Sequence, residues 1–326
     1  MIARREFVLT ALLCGLSSAA SRAQQAAPGE FRPWLDAFRR DALSAGISAR
    51  TLEAALGGLA PIARVVELDR RQPEATLGFS DYLARVVNDT RVRTGKQRLA
   101  ENAELIRAIE ARFRVPASTI VALWAMETDF GRFGGNFPVI GALATLAFEG
   151  RRAEYFRKEL IEALWILEDG RIAPAQMRGS WAGAMGQVQF MPSTYRRHAV
   201  DWDGDGRRDI WNSIGDALAS AANYLSQSGW NYAIGWGEEI LPPPGLDPQL
   251  TGRTKRRPVE EWVRLGVLPL GKPGFGTPEP FALVLPDNAN GRGFAVTRNI
   301  DVLMTWNRSI YFALSVALLA DRIASE

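Results

Sequence analysis

The 326-residue chain is long enough to bury a sizeable core in one large domain or two smaller ones. Its 47% hydrophobic and 23% charged residues are ordinary globular proportions and exclude intrinsic disorder. No apolar run reaches the ~20 residues of a membrane-spanning helix, and a single histidine, His198, excludes any site that needs two.

Residues 1–23 read as an export leader. Arg4 and Arg5 give it a positive start, residues 7–16 (FVLTALLCGL) a short apolar stretch, and Ser21-Arg22-Ala23 a small-residue cleavage site. Arg4-Arg5-Glu6-Phe7-Val8 also fits a twin-arginine signal, so Sec and Tat export are both compatible. The expected mature chain starts at Gln24 and lies in the periplasm. Losing the leader removes Arg4, Arg5, Arg22 and Glu6, and the net charge falls from +3 to +1. The basic balance therefore belongs largely to the leader, and nothing points to nucleic acid as a partner. The only cysteine, Cys14, lies in the leader, and Leu12-Leu13 before it lacks the small residue that lipid attachment prefers. The mature chain is expected to carry neither lipid nor disulfide.

Residues 24–30 (QQAAPGE) read as a short linker. Over 31–57, Phe31, Trp34, Leu35, Phe38, Leu52, Ala55 and Leu56 recur at three- and four-residue spacing. This predicts helices that stop at Gly46 and Gly57-Gly58. Residues 80–113 are also expected to be helical. Residues 116–130 (PASTIVALWAMETDF) predict a buried helix with proline near its first turn and Gly131 just past its end. The Gly/Asn/Pro segment 131–141 is expected to be irregular. Helices are expected again over 152–169 and 212–228, and His198 is expected on a surface helix. Residues 241–258 read as a surface excursion rich in proline and charge, and 275–296 as a small β element. An amphipathic helix over 309–324 ends the chain. The class is mainly α with minor β, without internal repeats.

Three constellations carry chemistry. Glu127 follows the apolar run 120–126 (IVALWAM) and precedes a glycine-rich break. A carboxyl at the mouth of an apolar helix is desolvated, which raises its pKa and lets it donate a proton near neutral pH; a solvated helix-end glutamate is the alternative. Residues 179–195 (GSWAGAMGQVQFMPSTY) combine small residues, past which a ligand can approach the backbone, with Gln187, Gln189, Trp181 and Tyr195, which suit a sugar's hydroxyls and apolar faces; a tightly packed loop is the alternative. The third is 201–212 (DWDGDGRRDIWN), in which Asp201, Asp203, Asp205 and Asp209 stand at positions 1, 3, 5 and 9 of an EF-hand-like loop, with Gly206 at 6. Arg207 would add its carbonyl. Asn212 replaces the usual bidentate glutamate at position 12, and Asp216 is a candidate to substitute for it. A turn neutralised by Arg207 and Arg208 is the alternative to a structural Ca²⁺ site.

Together these blocks resemble the lytic murein transglycosylase B family of the lysozyme-like superfamily. The resemblance rests on residues 122–135 (ALWAMETDFGRFGG), 151–156 (RRAEYF), 179–195, the aspartate loop, 221–225 (AANYL) and 298–316 (RNIDVLMTWNRSIYFALSV). It covers about 31–322, nearly the whole mature chain. It implies a single catalytic module over 31–326: a lysozyme-like α(+β) core of about 100–230 plus the helix 309–324, the EF-hand-like loop, and a small β-containing subdomain of about 240–298. It implies that Glu127 is the catalytic acid and base, and that Arg151, Arg152, Ser180, Gln189, Tyr224, Trp306 and Asn307 line the glycan path. Trp306 and Phe312 depart from the family, which commonly has tyrosine at both positions; Trp306 can still stack on a sugar, whereas Phe312 has no hydroxyl to offer.

An ordinary glycosidase uses two carboxylates, and these blocks supply one strong candidate. One is enough where the substrate provides the nucleophile. Glu127 would protonate the oxygen bridging N-acetylmuramic acid and N-acetylglucosamine, then take the proton of the muramoyl C6 hydroxyl as it closes on C1 to leave a 1,6-anhydro end. No cofactor is required for this chemistry. The expected partner is the peptidoglycan glycan strand; proteins of cell-wall synthesis are further candidates that the sequence does not name. Two alternatives share these residues: a hydrolytic muramidase and a non-catalytic glycan-binding assembly protein.

Overall fold

The structure, a computed structural model, describes residues 30–71, 77–149, 151–270, 275–276, 278–287 and 291–325. The expected leader, and the linker apart from Glu30, lie outside the described residues. In chain order the elements are α1 (Phe31–Ser44), α2 (Ala49–Leu56), α3 (Ala63–Arg70), α4 (Phe79–Val86), α5 (Asp89–Glu101), α6 (Ala103–Phe113), α7 (Ala117–Thr128), β1 (Phe137–Pro138), α8 (Val139–Glu149), α9 (Ala153–Glu168), β2 (Arg178–Gly179), α10 (Pro192–His198) and α11 (Ile214–Gln227). They continue with β3 (Gly237–Leu241), α12 (Val259–Arg264), β4 (Leu268–Pro269), β5 (Ala282–Val284), β6 (Gly293–Val296), α13 (Arg298–Trp306) and α14 (Ile310–Ala324). No single helix among the described residues is long and apolar enough to cross a membrane.

The chain divides into two compact units, and the divisions fall inside α7, between Met126 and Glu127, and inside α11, between Ala221 and Ala222. The first, here the loop unit, holds residues up to 71 and 127–221 among those described. Phe31, Leu35, Phe38 and Ala42 form the buried stripe of α1, which ends at Ala45 before Gly46 takes a left-handed φ of 100°. Ser48 then caps α2 by accepting from the Thr51 N–H at 3.2 Å, relieving one of the orphan donors of a helix start. Helix α8 is buried from Val139 to Phe148 and packs on α9 and α3. It begins inside a segment expected to be irregular: its run VIGALATLAF is apolar on every side, so it has no hydrophobic face to show as a period. Helix α3 was likewise not expected as an element, whereas α10 carries His198 at its last position, in keeping with the helix expected there.

The second, the sheet unit, holds residues 77–126 and 222–325 among those described. Its four-stranded antiparallel sheet has the order β4-β3-β6-β5, with Glu239 opposite Phe294 and Leu283 opposite Ala295. Ile240, Trp262, Val267, Phe281, Leu283 and Ala295 form the core under it. The indole N–H of Trp262, fully buried, donates to the Phe281 carbonyl at 2.9 Å, so its polar edge carries no desolvation penalty. Helix α14, capped by Ser309, packs on α4, α5 and α13. Asp287 accepts the N–H groups of Phe79 and Ser80 at 2.6 and 3.1 Å and so completes the start of α4, which has no cap of its own.

Candidate active site

Glu127 is the penultimate residue of α7 and is half-buried, whereas every residue from Ile120 to Met126 is buried. The helix ends abruptly because Asp129, Phe130 and Gly131 take left-handed φ values of 50°, 61° and 81°. Two of these are side-chain-bearing residues in a region that costs them conformational energy, so other contacts must hold the turn. Thr128, 1% exposed, supplies them: its hydroxyl donates to the Gln187 carbonyl at 2.6 Å and accepts the Gly131 N–H at 3.0 Å. Asp129 has left the helix and pairs with Arg132 at 3.0 Å.

The strand that follows lies against the second glycine-rich block. Phe137 pairs with Gly179 and Pro138 with Arg178. A Cβ on Gly135 would stand 2.1 Å from the Gly179 carbonyl oxygen and 2.5 Å from the Ser180 nitrogen, so glycine alone permits this approach. Ser180 closes a tight loop: its N–H donates to the Ala184 carbonyl at 2.8 Å while its Oγ accepts the Ala184 N–H at 3.0 Å. Its hydroxyl proton is not used in that bond. Gln189, at φ 51°, donates from Nε2 to the carbonyls of Gly186 and Gly134 at 2.9 and 3.0 Å. This amide joins the loop after Glu127 to the loop after Ser180. Trp181, Gln187 and Tyr195 are 9%, 8% and 2% exposed and pack this region from within. The Tyr195 hydroxyl donates to the Arg208 carbonyl at 2.8 Å, and burial pushes it up to about 12.

Arg151 and Arg152 stand at the entry of α9 and share one acceptor, Asp69 at the end of α3. Arg152 Nη2 meets its Oδ1 at 2.9 Å, and Arg151 reaches Oδ2 with Nε at 3.2 Å and the backbone carbonyl with Nη2 at 2.8 Å. Asp69 had no signal in sequence, being 82 residues away.

In the aspartate loop, carboxylate oxygens of Asp201, Asp203 and Asp205 lie within 4.8 Å of one another. Three hard oxygen donors converging this closely, two of them on exposed residues, suit a divalent cation such as Ca²⁺. Arg207 donates its N–H to Asp205 Oδ1 at 2.7 Å. Asp209 is occupied by Asn212, whose side-chain amide donates to both of its oxygens at 2.9 and 3.2 Å. Asp216 lies outside the cluster of three. It is 1% exposed, and its two oxygens accept the N–H groups of Trp202 at 2.8 Å and Asp209 at 2.6 Å. It thereby ties both ends of the loop to the start of α11. Burial raises its pKa against the lowering effect of those two bonds.

The remaining candidates belong to the sheet unit. Tyr224 on α11 donates its hydroxyl to the Thr305 carbonyl at 2.8 Å and meets the Trp306 ring edge-on at 5.0 Å. Asn307 ends α13, and its Oδ1 accepts the Ser309 N–H at 3.0 Å. Phe312 is 6% exposed, a core position.

Residues 30–321 match the Transglycosylase SLT domain family. The chain belongs to that family. This SLT domain is 33% identical over 215 residues, 65% of its length, to the membrane-bound lytic murein transglycosylase B of Escherichia coli K12, and the match spans 58% of that relative. Its fold is similar to that of SltB3 from Pseudomonas aeruginosa in complex with NAG-NAM-pentapeptide, with a TM-score of 0.85, 46% identity, and coverage of 91% of this chain and 80% of that one. SltB3 has also been solved with NAG-anhNAM-pentapeptide. The lytic transglycosylase Slt35 of Escherichia coli, in complex with calcium, matches with a TM-score of 0.77 and 28% identity over 90% of this chain and 93% of that one. The SLT domain thus has the mainly helical, lysozyme-like fold expected from its motifs.

Proposed function

We propose that this SLT domain is a periplasmic lytic transglycosylase of peptidoglycan, which cleaves the MurNAc-β-1,4-GlcNAc bond with Glu127 as its acid and base. The observation that carries the reading is the position of Glu127: a half-buried carboxyl following a wholly buried helical run and preceding a turn held rigid from both sides. The complexes of SltB3 with NAG-NAM- and NAG-anhNAM-pentapeptide support it.

In the forward step the Glu127 proton passes to the bridging oxygen, and the C1–O bond breaks with its electron pair on that oxygen. The muramoyl C6 oxygen then bonds to C1 and its proton returns to Glu127, which regenerates the acid. No water is consumed. Ser180, Gln189, Arg151 and Arg152 would hold the glycan on the loop unit; Tyr224, Trp306 and Asn307 would do so on the sheet unit. Both proton transfers run between Glu127 and the substrate's own oxygens, the bridging one and then the C6 hydroxyl, so the reaction needs no cofactor. Asp201, Asp203 and Asp205, with the Arg207 carbonyl, would hold a structural Ca²⁺. The complex of Slt35 with calcium supports that assignment.

Mass spectrometry of fragments released from purified peptidoglycan tests the reading. Anhydro ends, lighter than reducing ends by one water, are expected. Reducing ends would instead identify a hydrolytic muramidase, and binding without release a non-catalytic glycan-binding protein.

A further inference from the structure

Glu127 is not held by its own helix alone. The residue after it, Thr128, anchors the helix end with one buried hydroxyl that both donates to the Gln187 carbonyl and accepts the Gly131 N–H. Gln187 in turn is fixed by two further hydrogen bonds and lies against Gly131, where a side chain would collide with it. Its N–H donates to the Ile210 carbonyl at 2.8 Å, its Nε2 to the Trp211 carbonyl at 3.2 Å, and its Oε1 sits 2.5 Å from where a Gly131 Cβ would be. Trp211 is itself anchored, its indole N–H donating to the Arg178 carbonyl at 2.7 Å directly before Gly179-Ser180. A continuous set of short contacts therefore runs from the end of the aspartate loop through Gln187 and Thr128 to the residue adjoining Glu127. Left-handed φ values at Asp129 and Phe130 make the turn a conformation that these contacts must impose.

We infer that Thr128 and Gln187 are positioning residues, which set the Glu127 carboxyl in its reactive place by holding the helix end and the turn behind it. The inference rests on the reading of Glu127 as the acid and base. Both side chains are buried and bonded inward, so neither is a glycan ligand. Their effect should fall on the chemical step rather than on binding.

The experiment measures kcat and KM on a soluble glycan fragment of defined length for Thr128→Val, Thr128→Ser and Gln187→Met, with melting temperatures in parallel. Misplacing a catalytic group by a fraction of an ångström to an ångström costs about 10- to 100-fold in rate. Thr128→Val is expected to lower kcat by about that factor with KM unchanged, and Thr128→Ser, which keeps the hydroxyl, to restore most of it. Gln187→Met, which keeps the side chain's length and loses its amide, is expected to lower kcat with KM unchanged. A merely structural role would lower the melting temperature and leave the folded protein's kcat at the wild-type value; that result overturns the inference. If Thr128→Val does not fold, Gln187→Met decides by the same criterion. Glu127→Gln is run alongside. Wild-type cleavage by it would sink the functional reading itself, whereas an inactive Glu127→Gln beside positioning variants of wild-type kcat would sink this inference alone.

Discussion

Glu159, 5% exposed on α9, accepts both donors of Ser193: the backbone N–H at 2.9 Å on Oε2 and the hydroxyl at 2.7 Å on Oε1. This pair fastens the first turn of α10, and with it the end of the glycine-rich block, to the core of the loop unit. Burial pushes the Glu159 carboxyl up, outweighing the two Ser193 bonds and Arg197, which pull it down; Glu162 adds to the rise. In the unfolded chain the same group ionises in the ordinary carboxylate range. Between those two values the folded chain binds more protons, so stability falls as pH rises through the interval. Glu159→Gln does not titrate, and its stability relative to wild type should therefore improve with rising pH across that interval. Urea unfolding at a series of pH values checks this; a difference independent of pH, or of opposite slope, contradicts it. Ser193→Ala, which removes one bond to the carboxylate, should cost about 2 kcal/mol at neutral pH.

Gly135 and Gly58 form a matched pair for testing the contact beside Ser180. Both have left-handed φ, 89° and 67°, but only Gly135 has backbone where a Cβ would go; Gly58 has nothing within 4 Å. Gly58→Ala should cost about 1–2 kcal/mol, the left-handed penalty alone. Gly135→Ala should cost clearly more, because the Gly179-Ser180 backbone must move, and it should also lower cleavage. Equal melting temperatures for the two variants would mean that the 135–179 contact relaxes freely.

Calcium should stabilise the loop unit. Binding to the native state alone adds about 2.7 kcal/mol at a hundredfold excess over Kd. The melting temperature should rise with Ca²⁺ and fall with EDTA, and in Asp203→Ala plus Asp205→Ala both responses should disappear. Asp216→Asn makes a different prediction. Because Asp216 binds two backbone N–H groups and lies outside the cluster of three, the variant should melt lower in both the presence and absence of calcium while still responding to it. A wild-type melting curve indifferent to calcium and chelator would leave the loop as a turn that folds without a cation.

Asp69→Ala should release Arg151 and Arg152 together. Solvent screens the bond to Arg151, which is more than half exposed, but Asp69 and Arg152 are largely buried, so the loss of stability should be about 1–3 kcal/mol. The larger effect should be on KM for glycan fragments, through loss of a preorganised cationic pair, with kcat retained. Unchanged KM would remove the arginine pair from the glycan path.

The sequence by itself determined the helical class and its leading candidate acid, because the signals for both are local. Proline at position 116 and glycine at 131 bracket α7 to within a few residues, and the apolar run between them is buried as expected. Helix α14 and the small β element expected over 275–296, within which β5 and β6 fall, were legible for the same reason. Helix α8 was not, since a helix buried on all sides has no amphipathic period. What only the tertiary structure decided is which polar groups share a partner. Asp69 with Arg151, Thr128 with Gln187 and Glu159 with Ser193 are separated by 82, 59 and 34 residues, and no spacing rule joins them. The aspartate loop shows the division within a single motif. Its spacing proposed Asp201, Asp203, Asp205 and Asp209 as oxygen donors, with Asp216 beyond it as a candidate to replace the missing glutamate; packing at the start of α11 takes Asp216 out of solvent and gives its oxygens the Trp202 and Asp209 N–H groups. A buried carboxylate must satisfy its oxygens where packing puts it, and packing is a property of the whole chain.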